Sequence, residues 1–410
     1  MDVGYHSYET ESTHTAGKVI TCKAAVAWGP GQPLVIEDVQ VAPPQKMEVR
    51  VKVLFTSICH TDLSSWKGEN EAQRAYPRIL GHEAAGIVES VGEGVEDMKI
   101  GDHVIPFFQG ECGTCICCRS RKTNLCQKFG VNPLKSVMVN DGKTRFSTMD
   151  GNPIFHFHNT STFSQYTVLD SACLVKIDTK APLEKMSLLS CGVSTGVGAA
   201  WNVANVQPGS SVAIFGLGAV GLAYEYSVGR YEKSTRRGAS KIIGVDINPS
   251  KFFKGKAVGI TEFINPKDLD VPVHEKIGAI TEGGVDYSFE CVGNLEVLRE
   301  AFFFIYCCPP LFIKVWHAYT GMGTDCTTGD SPSPMLLPLH PMELFNGRQI
   351  VGSIFGGFKG KTQLPKLAEQ CMCGTLNLDE FITHELPFHN INEAFQLLIE
   401  GKSLRCLLHL

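Results

Sequence analysis

Ser211-Val-Ala-Ile-Phe-Gly-Leu-Gly-Ala-Val-Gly221 is the stretch of sequence that decides the fold of this chain. Its first part, up to Phe215, is an apolar run typical of a buried strand, and a G-x-G-x-x-G turn follows. Two further apolar runs, Lys241-Ile-Ile-Gly-Val245 and Val285-Asp-Tyr-Ser-Phe289, come later in the chain. Strands that alternate with helical stretches in this way predict an α/β domain with a parallel, doubly wound sheet.

The glycine turn also predicts a dinucleotide site of the Rossmann type. Gly216, Gly218 and Gly221 let backbone N–H groups approach a pyrophosphate at the N-terminus of the following helix. Asp246 ends the next strand, where its carboxylate accepts hydrogen bonds from a ribose 2′-hydroxyl and repels a 2′-phosphate, so NAD is favoured over NADP. The alternative is a glycine turn in an unrelated α/β fold. Asp246 lies 25 residues after Gly221, a longer interval than usual.

The sequence before this region predicts a different architecture. Short apolar or alternating runs separated by turns indicate an antiparallel, barrel-like domain: Ala24-Ala-Val-Ala-Trp28, Leu34-Val-Ile36 and Val49-Arg-Val-Lys-Val53. A chain of 410 residues is also too long for one hydrophobic core. We therefore expect two domains.

Composition argues against several kinds of binding partner and cellular location. A net charge of −5 gives no reason to expect nucleic acid or an anionic membrane. The first residues, Met1 to Ala16, are polar and lack the apolar region of a signal peptide, and no stretch approaches ~18 uninterrupted apolar residues. The 16 cysteines are therefore interpreted as reduced thiols of a cytoplasmic protein, several of them metal ligands.

One group of cysteines predicts a closed metal site. The spacing C-x2-C-x2-C-x7-C suits four thiolates around a tetrahedral zinc ion, and its members are Cys112, Cys115, Cys118 and Cys126. An iron–sulfur cluster is the alternative, but there the fourth cysteine follows closely and precedes a proline. Here the fourth cysteine is eight residues on and precedes a glutamine, which favours zinc.

A second group predicts an open metal site. Cys59, His82 and Cys191 supply two thiolates and one imidazole, which leaves the fourth tetrahedral position for water or substrate. Asp62 is placed to orient the imidazole. Alone, Cys59 would more often be an inert buried thiol and His82 a structural histidine. Their occurrence with the four-cysteine group and the glycine turn favours the metal site.

Four segments carry a resemblance to a known family: Gly81-His-Glu-Ala-Ala-Gly86, Gly101-Asp-His-Val-Ile-Pro106, Thr160-Ser-Thr-Phe-Ser-Gln-Tyr166 and Gly401-Lys-Ser-Leu-Arg405. Over about residues 20–300 and 335–410 the chain resembles the zinc-dependent medium-chain alcohol dehydrogenases, most closely the plant alcohol dehydrogenase-like branch. The resemblance implies a homodimer with a GroES-like, mostly-β catalytic domain and a Rossmann coenzyme domain. We expect the domain ranges to be 1–192 with a flexible tail at 1–18, 193–354 for NAD binding, and 355–410 as a return to the catalytic domain.

The resemblance also implies a role for individual residues. Two zinc ions per subunit are expected, one at the four-cysteine group and one at Cys59, His82 and Cys191, with Glu83 as an occasional ligand. Thr61, Asp62 and Glu83 are expected to serve catalysis, with Thr61 passing the alcohol proton to the coenzyme ribose. The expected substrate pocket comprises Thr61, His82, Phe108 and Phe157. The expected coenzyme contacts are His60, Thr61, Thr195, Gly216, Leu217, Gly218, Ala219, Val220, Gly221, Asp246, Lys251, Val292, Phe355 and Arg405. Without the resemblance, His60 and Arg405 would be interpreted as surface charges, and Phe108 and Phe157 as core.

Three features depart from the family pattern. Ser64 stands where many relatives end a proton relay with a histidine, so the proton is expected to leave through water. The helix after Gly221 carries about six extra residues relative to the family pattern, with a charged stretch at Arg230 to Arg237. Residues 303–334 do not resemble the family, and they are interpreted either as the product of a faulty gene model or unspliced transcript, or as a true surface insertion.

These patterns predict an NAD-dependent zinc enzyme that interconverts primary alcohols and aldehydes. Hydride is expected to pass from a zinc-bound alkoxide to nicotinamide. A glutathione-dependent formaldehyde dehydrogenase of the same fold is an alternative, although Gly68-Glu-Asn-Glu-Ala-Gln-Arg74 lacks the Asp-Pro-Glu text usual in that branch. A non-enzymatic zinc protein that keeps the fold is a third possibility. The complete ligand set argues against it, but the foreign segment at 303–334 leaves it open.

Overall fold

The computed structural model describes residues 15–228, 238–281, 283–303, 337–345 and 347–410. Most of the expected tail, the charged stretch after Gly221 and nearly all of the segment 303–334 lie outside the described residues. At the end of the expected tail, Arg50 donates hydrogen bonds to the carbonyls of Thr15 (2.8 Å) and Lys18 (2.7 Å). A buried guanidinium therefore holds the chain from Thr15 onward.

The first part of the chain is mostly β. Its strands are β1 (Ile20–Ala27), β2 (Val35–Val41), β3 (Glu48–Ser57), β4 (Arg78–Ile79), β5 (Glu83–Val91), β6 (His103–Pro106), β7 (Phe146–Thr148), β8 (Pro153–Ile154), β9 (Tyr166–Asp170) and β10 (Leu174–Lys176). Its helices are α1 (His60–Lys67), α2 (Ile116–Arg119) and α3 (Leu183–Met186). One five-stranded sheet has the order β4-β1-β2-β7-β8, and its pairs are antiparallel, as expected.

The middle of the chain is α/β. Its elements are α4 (Gly192–Gly198), β11 (Ser211–Phe215), α5 (Ala219–Val228), β12 (Lys241–Val245), α6 (Phe252–Val258), β13 (Glu262–Ile264), α7 (Val273–Thr281), β14 (Tyr287–Glu290), α8 (Leu295–Phe303) and α9 (Pro341–Phe345). The strands form a parallel sheet in the order β13-β12-β11-β14, which is the strand arrangement of a Rossmann domain. The expected fold class is thereby confirmed.

Two of the three predicted strands of this sheet have the observed bounds, and the third begins later. Val285-Asp-Tyr-Ser-Phe289 was expected to be the strand, but β14 starts at Tyr287. The reason is Asp286, whose carboxylate accepts hydrogen bonds from the backbone N–H of Ser211 (2.7 Å) and from its hydroxyl (2.9 Å). The Asp286 side chain therefore holds the residues before β14 against the first residue of β11.

The last part of the chain returns to the first. It comprises α10 (Gly360–Met372), β15 (Ile382–Pro387), α11 (Ile391–Ile399) and β16 (Arg405–His409). β16 pairs antiparallel with β3, in a second sheet that runs β10-β6-β5-β3-β16-β15, with β9 also paired to β3. Leu407 lies opposite Ser57, so the C-terminal strand runs beside the segment that leads to Cys59.

Shorter helical turns connect these elements. A π-helix covers Ala199–Ala204, and 3-10 turns cover Glu71–Gln73, Ser171–Cys173, Ser187–Ser190, Pro249–Lys251, Pro266–Asp268, Phe355–Gly357, Asp379–Phe381 and Phe388–Asn390. Within the ranges that the structure describes, no helix has both the length and the apolarity needed to cross a membrane.

Close packing of two helices positions the glycine turn. A Cβ atom at Gly196 of α4 would lie 2.3 Å from the carbonyl oxygen of Val220 in α5. A Cβ atom at Gly221 would lie 2.0 Å from the carbonyl oxygen of Gly216. Glycine at 196 therefore lets α4 pack directly on α5, and glycine at 221 lets α5 begin directly against the dinucleotide turn.

Candidate active site

Four buried side chains converge where the mostly-β part meets the Rossmann domain. Cys59 precedes α1, His82 and Glu83 stand at the start of β5, and Cys191 precedes α4. One ligand atom from each of the four lies within 4.8 Å of the others. Segments far apart in the sequence thus bring two sulfurs, one imidazole and one carboxylate to one point.

Asp62 organises this cluster. Its Oδ1 lies 3.0 Å from Nδ1 of His82 and accepts the backbone N–H of Gly81, while its Oδ2 accepts the backbone N–H of Cys59 at 3.0 Å. The opposite ring nitrogen, Nε2 of His82, is buried and has no hydrogen-bond partner among the described residues. A fixed imidazole whose free nitrogen meets two sulfurs is a donor set that suits zinc.

The three metal-ligand candidates of the cluster differ in the direction in which their pKa values are shifted. A hydrogen bond from Cys191 and the positive charge of Arg405 hold the pKa of Cys59 well below its usual range, against the effect of burial. The same hydrogen bond and burial raise the pKa of Cys191. Burial alone would lower the pKa of His82, but the Asp62 carboxylate outweighs it and raises that pKa. A bound divalent cation displaces the protons that remain on such ligands.

The carboxylate of Glu83 is engaged in a buried ion pair beside the sulfurs. Its carboxylate accepts Nε and Nη2 of Arg405 at 2.7 Å and 2.9 Å, together with the backbone N–H of Gly192 at 3.0 Å. Nη2 of Arg405 also lies 3.5 Å from Sγ of Cys59. Arg405 is 4% exposed, so it is no solvated surface charge, whereas His60, at the start of α1, is exposed.

Aromatic rings line one side of the cluster. The ring centroid of His82 lies 5.8 Å from that of Phe108 and 5.9 Å from that of Phe157, both edge-on. The hydroxyl oxygen of Thr61 lies 3.9 Å from Sγ of Cys59. The structure therefore brings together all four residues that the sequence assigned to the substrate pocket.

Sequence reasoning missed His158 in this wall. Its ring centroid is 4.0 Å from that of Phe157 and 6.4 Å from that of His82. No spacing motif pointed to it, because it lies in the loop after Phe157 rather than in a metal-ligand pattern. Its position next to an expected pocket residue is the one signal that the sequence offered.

The expected adenosine site is at the glycine turn. Asp246 follows β12, and its carboxylate accepts the backbone N–H of Leu217 at 2.8 Å and Nζ of Lys251 at 2.9 Å. A Cβ atom at Gly218 would meet open space, whereas one at Gly216 would lie 2.8 Å from the half-exposed Val292. The turn is thus packed on one side and open on the other, the shape that a pyrophosphate requires.

Two further expected coenzyme residues lie at α4, Thr195 within the helix and Phe355 in a turn against it. Phe355 lies in the turn Phe355–Gly357, where a Cβ atom at Gly356 would lie 2.8 Å from the carbonyl oxygen of Thr195. The Phe355 ring points away from solvent and lies 5.4 Å from the Phe108 ring, centroid to centroid. The turn therefore links the α4 side of the dinucleotide site to the aromatic wall.

The four-cysteine group forms a separate lobe. Its sulfurs lie within 4.8 Å of one another, and those of Cys112 and Cys118 are 3.8 Å apart. Zn–S bonds of ~2.3 Å in a tetrahedron separate sulfurs by about 3.8 Å. Backbone N–H groups of Cys115, Cys118 and Phe129 donate to sulfur at 3.3–3.4 Å, which favours thiolates.

This lobe is tied to the C-terminal part of the chain. Nζ of Lys359 donates to the carbonyls of Cys118 and Ser120. Nδ2 of Asn124 donates to the carbonyls of Ile354 (2.8 Å) and Phe358 (3.1 Å). The cysteine lobe therefore holds both ends of the turn that carries Phe355.

A closed four-thiol group, an open group of two thiols and one imidazole, and a Rossmann glycine turn define a zinc-binding dehydrogenase. Comparison with known proteins agrees. Residues 45–179 match the alcohol dehydrogenase GroES-like domain, and residues 234–307 match the zinc-binding dehydrogenase domain.

Individual relatives identify the family. The chain is 66% identical to alcohol dehydrogenase-like 4 of Arabidopsis thaliana, over 97% of this chain and 100% of that protein. It is 51% identical to alcohol dehydrogenase class-3 of Oryza sativa subsp. japonica, over 97% and 99%. The crystal structure of benzyl alcohol dehydrogenase from Acinetobacter calcoaceticus is similar at a TM-score of 0.81 and 28% identity, covering 95% of this chain and 99% of that one. The chain belongs to the zinc-dependent medium-chain alcohol dehydrogenase family, which confirms the resemblance.

Proposed function

We propose that this protein oxidises primary alcohols reversibly to aldehydes with NAD as hydride acceptor. The observation that carries the proposal is the convergence of His82 Nε2 with the sulfurs of Cys59 and Cys191, next to the Thr61 hydroxyl and the aromatic wall. Three protein ligands and a neighbouring hydroxyl are what alcohol oxidation needs at a metal. The protein would act in the cytoplasm, as a homodimer.

Two zinc ions fit the two groups. Cys59, His82 and Cys191 would hold the catalytic ion, and the cysteine lobe would hold a structural one, Cys112, Cys115, Cys118 and Cys126 being its ligands. When bound, the catalytic ion supplies a Lewis acid that lowers the pKa of an alcohol hydroxyl. The carboxylate of Glu83 could bind the ion only after breaking its ion pair with Arg405, so it would be an occasional ligand.

The proton leaves through Thr61 in this proposal. Its hydroxyl would accept the proton of the substrate and would donate its own to the ribose of a bound coenzyme. Ser64 follows one helical turn later in α1, where it is half-buried, and water completes the path beyond it. Asp62 keeps the His82 ring fixed while the proton moves.

Coenzyme binding is assigned to the cleft beside α4 and α5. Asp246 would accept the ribose hydroxyls, and Lys251 lies within reach of the same sugar. The turn Gly216, Leu217, Gly218, Ala219, Val220 and Gly221 would hold the pyrophosphate, with His60 and Arg405 as its cationic partners. Thr195, Val292 and the Phe355 turn would line the nicotinamide half. Assignment of residues 355–410 to the catalytic domain is supported by the pairing of β16 with β3.

Metal analysis and coenzyme reduction test this proposal. Purified protein should contain two zinc ions per chain and should form NADH with primary alcohols, faster than it forms NADPH. Formaldehyde with and without glutathione is the control, since acceleration by glutathione would support the alternative substrate instead. Zinc-loaded protein that reduces neither coenzyme with any alcohol would contradict enzymatic activity altogether.

A further inference from the structure

His158 is a polar side chain beside the open metal site. It belongs neither to the metal ligands nor to the expected coenzyme contacts. It is 7% exposed, and its ring lies against Phe157 and near His82. Nδ1 of the ring is buried and has no hydrogen-bond partner within the described parts of the chain. A buried imidazole nitrogen without a partner is unfavourable, so its retention in the wall of a pocket points to a ligand that satisfies it.

The loop that carries His158 is held in place. His158, Asn159 and Ser161 all have left-handed φ values, 43°, 60° and 55°, which side chains other than glycine rarely adopt. Two bonds maintain this conformation: Nδ2 of Asn159 donates to the carbonyl of Phe108 at 3.1 Å, and the backbone N–H of Phe157 donates to Oγ of Ser161 at 2.8 Å. The imidazole is therefore presented by a strained, fixed loop rather than by a mobile one.

A positive charge lies behind the same wall. The guanidinium carbon of Arg78 is 5.6 Å from the centroid of the Phe157 ring, and the side chain is 3% exposed. Its Nη2 donates to the carbonyl of Gln73 and the hydroxyl of Ser136, which are both neutral. No carboxylate pairs with Arg78 among the described residues. A buried positive charge without a carboxylate partner favours an electron-rich oxygen in the neighbourhood of the Phe157 ring.

We propose that His158 makes the pocket select alcohols that carry a second oxygen a few bonds from the reacting carbon, over plain alkyl alcohols of the same size. A neutral imidazole has one donor and one acceptor nitrogen, so it can bind a hydroxyl in either sense. The inference rests on the proposed function, because it names the substrate class of the same site. His158 is a specificity-determining residue here and takes no part in the reaction itself.

The test compares two substrates of equal heavy-atom count, 1,4-butanediol and 1-pentanol. The ratio of their kcat/KM values should fall about tenfold in H158L and in H158M, because the hydrogen bond to the second oxygen is lost. H158Q keeps a polar group and should retain most of the wild-type ratio. Zinc content and thermal unfolding of each variant show that the site is intact. An unchanged ratio in H158L and H158M would overturn the inference and leave the proposed function standing.

Binding to zinc-loaded protein gives a second readout that does not need turnover. Calorimetric titration with 4-hydroxybutanamide and pentanamide, which also match in size, should show the hydroxyl compound losing about tenfold in affinity relative to the other in H158L. If no alcohol is oxidised but this shift is found, the proposed function fails and the inference about the pocket holds. If the affinity of the hydroxyl compound relative to pentanamide is the same in the wild type and in all variants, His158 has no role in selecting the second oxygen.

Discussion

The two cysteine groups of this protein are built in opposite ways. The lobe of Cys112 to Cys126 takes all its ligands from one short segment, and backbone N–H groups support their sulfurs. The open group takes Cys59, His82 and Cys191 from three segments, and side chains support it, above all Asp62 and the Glu83–Arg405 pair. The closed group is therefore a property of local sequence, whereas the open group exists only in the folded chain.

This difference separates stability from chemistry. A closed ion joins loops and adds folding free energy directly, since the unfolded chain has no such site. An open ion sits in a cluster that the fold has already assembled and that Asp62 holds in position. The comparison predicts that ligand substitutions in the two groups affect different measured quantities.

The largest effect is expected for Cys59→Ala. Loss of this ligand should reduce kcat/KM on the order of 10³-fold or more, because the Lewis acid is lost, while the thermal unfolding temperature changes little. Steady-state NADH formation and thermal unfolding of the same preparation measure both. Cys22→Ala removes a buried thiol outside both groups and should keep turnover. Retained activity in Cys59→Ala would contradict the assignment of the open site.

Cys115→Ala should act on stability instead. Opening the four-thiol sphere should lower the unfolding temperature by roughly 10 °C and release one zinc ion per chain. Cys117→Ala is the matched control, since this neighbouring thiol is not part of the group. If the Cys59→Ala and Cys115→Ala proteins show equal losses of activity and of thermal stability, the division into an open and a closed group is wrong.

Asp62→Asn probes the support of the open group without removing a ligand. An amide binds the His82 ring and the two backbone N–H groups less well than a carboxylate, so zinc affinity or turnover should fall about 10- to 100-fold. Competition with a chelator measures the affinity. Unchanged affinity and unchanged turnover would mean that the ligands need no support from Asp62.

Asp246 lies in neither cysteine group, and Asp246→Ser should give the smallest of these changes in turnover. The change removes the charge that we propose to face the 2′-position and frees Lys251 from its ion pair, so NADP should gain on NAD by about tenfold. The ratio of kcat/KM for the two coenzymes is the measurement, and zinc content should stay at the wild-type value. A wild-type protein that prefers NADP would contradict the role of Asp246.

Features encoded locally could be predicted from the sequence. The apolar runs Ser211–Phe215 and Lys241–Val245 are the observed strands β11 and β12, because both are buried in a parallel sheet where uniform apolarity is required. The four-cysteine spacing likewise led to four sulfurs that the structure brings together. In each case the residues that matter lie close in sequence.

Features that depend on distant contacts could not be predicted. Arg405 was expected at the pyrophosphate and Glu83 behind the zinc ion, and the ion pair that joins them requires β16 to lie beside β3. His158 enters the pocket because its loop has left-handed backbone angles, which no residue pattern announced. The start of β14 at Tyr287 depends on the side chain of Asp286, which acts across the sheet.

Four hydrogen bonds connect the cysteine lobe to the Phe355 turn, which lies against the aromatic wall. Asn124 holds the carbonyls of Ile354 and Phe358, while Lys359, next along the chain, caps two carbonyls of the lobe. We expect loss of the metal ion from the lobe to loosen this turn, whose Phe355 ring lies 5.4 Å from that of Phe108 and whose Gly356 packs against α4. The closed site is in this way joined to the wall of the open one by hydrogen bonds that none of its sulfurs makes.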